Sequence, residues 1–131
     1  MAVKYKYVRK YNPQDPQGPY KVYAMAVHKN TFKLKDLAKQ LAARSTTASE
    51  GDTYSVVIGL VDLIKEHLDR SDKVVIDGIG SFVMNIMSEG AESEEKFHQG
   101  LIKGAKVVYQ QDSEMKNFSK RTKFEKEASK K

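Results

Sequence analysis

The sequence predicts an α+β chain: a β-hairpin, two helices, a three-stranded antiparallel sheet with a long middle connection, and a short last helix. Three observations carry this. A period-2 run and a largely apolar run flank a stretch holding all three prolines, two amphipathic runs follow with helix-start signals, and Asp77-Gly-Ile-Gly80 divides two later apolar runs.

Residues 3–10, Val-Lys-Tyr-Lys-Tyr-Val-Arg-Lys, alternate so that Val3, Tyr5 and Tyr7 point one way and Lys4, Lys6 and Lys10 the other. That is a strand with one cationic face. Residues 12–19 contain Pro13, Pro16 and Pro19 and must be an open loop, because proline fixes φ and donates no backbone hydrogen bond. Residues 20–28 predict a second strand covered on both faces.

Thr31 is placed to cap the first helix, whose apolar positions are Leu34, Leu37, Ala38, Leu41 and Ala42. Thr47-Ala-Ser-Glu50 fits a capping box and starts the second helix. Val57, Leu60, Val61, Ile64 and Leu68 form its stripe, and Val56, Ile58 and Leu63 widen it. A helix apolar around most of its girth wants two partners, and a second subunit can supply one.

Residues 73–77 predict a short strand and 81–87 the next, joined by a tight turn at Gly78 and Gly80. Residues 88–100 are polar, and 101–109 form the returning strand. Asp112 or Ser113 caps a last helix with Met115 and Phe118 inside. The end is read as a basic tail in which Phe124 is buried. The expected organisation is an N-terminal β extension (1–30) packed on a core domain (31–120), then the tail (121–131). No signal peptide or membrane helix is expected, since no apolar run is long enough.

Charge is segregated. The chain of 131 residues has a net charge of +6, yet residues 1–35 carry +7 and residues 101–131 carry +5, while the middle is acidic. Such a pattern suits a polyanion held by the two ends. Zero cysteines exclude disulfides and thiolate metal sites and fit a reducing compartment. His28, His67 and His98 share no ligand-like interval. Gly78-Ile-Gly80 lacks the Gly-Lys-Ser/Thr of a phosphate loop, and no nucleophile elbow is present. Neither an enzyme nor a cofactor or small-molecule site is therefore expected.

The run Ile76-Asp-Gly-Ile-Gly-Ser-Phe82, with two helices before it and an arm, strand and short helix after it, resembles the HU and integration-host-factor family of bacterial DNA-binding proteins. The resemblance spans Leu34 to about Phe118. Met-Ala-Val-Lys-Tyr-Lys at the start, with Asn12-Pro13 and Pro16, resembles the HU-like variants of Bacteroides-type bacteria, which add strands before that core. The resemblance implies an intertwined homodimer on double-stranded DNA in the cytoplasm, associated with the nucleoid. It also implies arms that enter the minor groove with a proline wedge at each tip.

The arm here departs from that pattern. Residues 86–102 hold four glutamates, one lysine and no proline. An acidic hairpin is repelled by phosphates, so no arm-tip role is assigned. The residues expected to contact DNA are instead Lys4, Lys6, Arg9, Lys10, Lys21, Lys103, Lys106, Lys116, Lys120, Arg121 and Lys123. Asn12-Pro13 is a secondary candidate for a groove-entering element. The tyrosines Tyr5, Tyr7, Tyr11, Tyr20 and Tyr23 are read as cross-strand packing in preference to base stacking. The alternative function is a protein-interaction module that has lost DNA bending.

Overall fold

A computed structural model describes residues 2–15, 17–44 and 47–127. The elements run β1 (Val3–Lys10), β2 (Lys21–Ala26), α1 (Leu34–Arg44), α2 (Glu50–Asp69), β3 (Val74–Ile76), β4 (Gly80–Ser88), a 3-10 turn (Gln99–Leu101), β5 (Ile102–Gln111), α3 (Ser113–Lys120) and β6 (Phe124–Lys126). They fall into two compact units, one of residues 32–117 and one combining 1–31 with 118–131. The expected division at 30/31 and 120/121 thus gives way to one in which the two chain ends belong together.

In the 32–117 unit, α1 packs on α2, and α2 packs on an antiparallel sheet of order β3-β4-β5. The α1 stripe divides. Ala38 and Ala42, four residues apart, are buried, whereas Leu37 and Leu41 on the adjoining side are exposed. On α2 the inner line is Thr53, Val57, Val61, Ile64 and Leu68, buried or half-buried. Val56, Leu60 and Leu63 form a second exposed line, with Val56 72% exposed. Among the described residues, the buried hydrophobics are Ala38, Ala42 and Leu68.

Both helices start later than their sequences suggest. α1 begins at Leu34, where Asp36 Oδ2 accepts the Lys33 amide at 2.9 Å, so a reaching carboxylate replaces Thr31. α2 is capped by Ser49, whose Oγ accepts the Asp52 amide at 3.1 Å. Ser49-Glu-Gly-Asp52 puts two acids in the first turn, which the helix dipole favours over a start at Thr47.

β3 and β4 turn at Gly78 and Gly80, both at positive φ. A Cβ on Gly80 would collide with the Gln110 carbonyl oxygen of β5, so glycine is required by close approach as well as by conformation. Cross-strand partners share a face, which places Phe82 opposite Tyr109 and Met84 opposite Val107. Beyond Met87 the β4–β5 register shifts, leaving Lys103 as the extra residue of a β-bulge.

In the other unit β1 is central: β2 pairs with it antiparallel and β6 parallel. The stretch expected as a tail therefore contributes a strand, and residues 128–131 lie outside the described residues. Two further expectations are corrected. Every residue of β2 is exposed, so it is not covered on both faces. Phe118 and Phe124 are 63% and 72% exposed, not buried.

Candidate nucleic-acid interface

The register of the β2-β1-β6 sheet divides its side chains between two faces. Lys6 stands opposite Met25, Val8 opposite Tyr23, Lys10 opposite Lys21, and Lys4 opposite Glu125. One face therefore carries Lys4, Lys6, Lys10 and Lys21, interspersed with Val8, Tyr23, Met25 and Glu125. The other carries Val3, Tyr5, Tyr7 and Arg9, with Val22, Phe124 and Lys126 beside them. The period-2 pattern of β1 dictates this separation, because an even step returns to the same side.

The cations differ in availability. Lys4 Nζ lies 2.7 Å from Glu125 Oε1, and the hydrogen bond and charge of Lys4 hold the Glu125 carboxyl below its ordinary value. Lys10 Nζ sits 5.7 Å from the centre of the Tyr23 ring. Among the described residues, Lys6 and Lys21 have no ion-pair partner. Arg9, on the opposite face, lies 4.8 Å above the Tyr20 ring. The loop beside it is a turn in which Asn12 Oδ1 accepts the Gln14 amide at 3.0 Å and Asn12 O accepts the Asp15 amide at 3.0 Å. Pro16 of that loop lies outside the described residues.

Lys120, Arg121 and Lys123 follow in the same unit, where Arg121 and Lys123 border a cavity with Ala2, Val3, Phe118 and Thr122. Residues 1–31 and 118–131 together hold 12 Lys and Arg against 3 Asp and Glu; residues 32–117 hold 11 against 14. Both basic ends of the chain thus enter one unit, and the larger unit is net acidic.

Lys103, Lys106 and Lys116 belong to that acidic unit. Lys103 Nζ is 3.4 Å from Glu89 Oε1, and Lys96 Nζ is 2.9 Å from Glu92 Oε2. The lysine of the arm and the neighbouring Lys103 of β5 are therefore occupied by arm carboxylates, while Glu94 and Glu95 add further negative charge. Lys106 is exposed opposite Asn85. The structure thus brings four of the eleven expected cations onto one sheet face, and three of the eleven stand in a separate unit.

Sequence reasoning overlooked Lys126, which lies 4.4 Å above the Tyr7 ring, and the Lys4–Glu125 pair. Both depend on the pairing of β1 with β6 across most of the chain. The local signal, an alternating Phe-Glu-Lys, is three residues long.

Metal chemistry finds no foothold among the described residues, where no group of three or more His, Cys, Asp or Glu converges. His67 Nδ1 pairs with Asp72 Oδ2 at 2.9 Å at the end of α2. No helix among the described residues is long and apolar enough to cross a membrane.

Comparison with solved structures places this fold beside two others. A candidate bacterial DNA-binding protein from Bacteroides vulgatus superposes with a TM-score of 0.68 at 11% identity, over 95% of this chain and 48% of its own. The present chain thus spans about half the length of that protein. Anabaena HU, from a cocrystal with DNA, superposes with a TM-score of 0.51 at 14% identity, over 69% of this chain and 99% of its own. No curated protein matches in sequence. The family model described as an HU domain fused to a winged helix-turn-helix, Ig or glycine-rich motif matches residues 1–126, so the HU-like core and the strands that flank it fall under one model and the chain belongs to the HU-HIG family.

Proposed function

We propose that this is a non-enzymatic DNA-binding protein that acts as a homodimer and contacts phosphates largely without regard to base sequence. It serves as an architectural component of the bacterial nucleoid. The observation that carries the reading is the gathering of both basic chain ends in one small sheet unit, with Lys4, Lys6, Lys10 and Lys21 on a single face. Lysines on a strand face present point charges to phosphate oxygens and read no base edges. The family and the likeness to HU support the choice of DNA as the polyanion.

A homodimer is supported by the second apolar line of α2. Val56, Leu60 and Leu63 are exposed in the single chain, as are Leu37 and Leu41 of α1. Five large aliphatic side chains left in water on one helix pair suit a second copy of that pair.

The mode of binding differs from proline-wedge bending. The arm lacks the proline, its one lysine is tied to Glu92, and Lys103 beside it is tied to Glu89. Contact falls to the appended sheet instead.

A titration of a 30-base-pair duplex against salt tests the proposal. Affinity should fall steeply between low and physiological salt, with log K linear in log salt concentration. Weak, salt-insensitive binding would support the second reading, an HU-like protein-interaction module. That reading draws on Glu94 and Glu95, the arm carboxylates left without an ion-pair partner among the described residues.

A further inference from the structure

The face of the β2-β1-β6 sheet opposite the lysines has a different chemistry. Tyr5 and Tyr7 stand 6.1 Å apart, and Tyr11 and Tyr20 meet edge to face at 5.8 Å. A row of rings on a sheet face ordinarily means a covered face. Here Tyr7 is 58% and Tyr11 56% exposed. Two cations lie over the rings, Arg9 above Tyr20 at 4.8 Å and Lys126 above Tyr7 at 4.4 Å.

We infer that this face is a stacking platform for single-stranded nucleic acid, with unpaired bases on the tyrosines and the Arg9 guanidinium and backbone phosphates on Arg9 and Lys126. Stacking on aromatic rings beside cations is the chemistry by which proteins hold single strands without reading sequence, since every base offers a π-face. A duplex cannot use such a platform, because its bases are already stacked on one another. A protein partner fits less well: the unit carries 12 basic residues against 3 acidic ones, and Arg9 and Lys126 lie among the rings, which favours an occupant that is both polyanionic and planar. The ligand and the surface both differ from those of the duplex contact proposed above. One protein could then hold paired and unpaired strands on opposite sides of one sheet.

The test is fluorescence anisotropy of the full chain with labelled oligo(dT) and oligo(rU) 20-mers and a 20-base-pair duplex. Tyr7→Thr with Tyr20→Thr keeps strand propensity and removes two rings. It should lower the affinity for both single strands about tenfold or more, while duplex affinity stays within about twofold. Tyr7→Phe with Tyr20→Phe keeps the rings and should bind as the parent does. Lys6→Gln with Lys10→Gln should show the reverse pattern, weakening the duplex more than the single strand. Should the threonine variant fail to fold by circular dichroism, Arg9→Gln replaces it, with the single-strand loss again exceeding the duplex loss. The chain has seven tyrosines and no tryptophan, so its intrinsic emission is tyrosine emission, and oligo(dT) should quench it.

Parent protein that binds duplex but not oligo(dT) would overturn this inference and leave the duplex reading standing. Equal loss for all ligands in the tyrosine variant would also overturn it. So would a drop in sedimenting mass on removing the rings, which would assign the face to contact between copies.

Discussion

The Asp112 carboxylate accepts the Gly78 amide through Oδ2 at 2.8 Å, joining residues 34 apart in sequence. Its other oxygen accepts the Met115 amide, also at 2.8 Å. One side chain therefore closes the β3–β4 turn and caps α3. The Asp112 amide itself donates to Ile79 O at 3.3 Å, and the Tyr109 hydroxyl donates to the same carbonyl at 2.9 Å. The turn that carries the family resemblance is thus pinned from β5 and the start of α3.

Asp112→Ala should destabilise the fold by about 2 kcal/mol, since two amides lose a charged acceptor and one of them is a helix cap. Asp112→Asn keeps one good acceptor oxygen and should cost about half as much. Urea unfolding at fixed protein concentration measures both. The midpoint should fall while the slope stays constant, because the surface exposed on unfolding is unchanged.

Legibility in the sequence tracked the range of the interactions. β1, α2 and the Gly78–Gly80 turn were readable because each is specified within a few residues, by alternation, apolar spacing or glycine. Asp112 was readable as a cap, but not as the acceptor for Gly78, which depends on the β4–β5 register. β6 was missed for the same reason. Phe124 and Lys126 belong to a sheet only because Val3 and Tyr5 lie alongside them. Burial was misjudged where a side chain was apolar but its face had no partner in the single chain, as at Val22 and Phe124. Hydrophobicity shows what a residue favours; the fold decides whether a cover exists.

The Lys4–Glu125 pair ties β1 to β6 and should make the stability of this sheet depend on pH. Lys4 holds the folded Glu125 carboxyl below its ordinary value. Glu125 therefore contributes stability that is fully present above its unfolded pKa, about 4.3, and is lost as pH falls through the lower folded value. Glu125→Gln should lower the thermal midpoint slightly at pH 7 and by nothing once the pH is below the folded pKa. Differential scanning calorimetry from pH 7 to pH 3 would show the two curves converge. Because the Glu125 carboxylate is exposed, the difference at pH 7 should also shrink in high salt.

The arm offers a test of charge repulsion. Glu92 and Glu89 are paired with Lys96 and Lys103, whereas Glu94 and Glu95 have no ion-pair partner among the described residues. Glu94→Gln with Glu95→Gln removes two negative charges without freeing a lysine. If the arm approaches a duplex bound elsewhere on the protein, affinity at low salt should rise a few-fold, and the gain should vanish by about 0.3 M salt as screening shortens. Unchanged affinity at every salt concentration would place the arm away from the duplex. Folding should be unaffected, because both side chains are exposed.

The lysines of the β1–β2 face separate a phosphate-binding surface from a merely soluble one. Charge alone gives every lysine the same expected role, but the structure ranks them. Lys4 is held by Glu125 and Lys103 by Glu89, so each must break an ion pair before it meets a phosphate. Among the described residues Lys6, Lys10 and Lys21 have no such partner, and Lys10 lies beside the Tyr23 ring. Replacing Lys6, Lys10 and Lys21 together by glutamine should therefore reduce the slope of log K against log salt by about three, roughly one for each phosphate no longer neutralised. Replacing Lys4 and Lys103 should reduce it by less than one per residue. A slope that responds equally to all five lysines would mean that net charge, and not this face, holds the DNA.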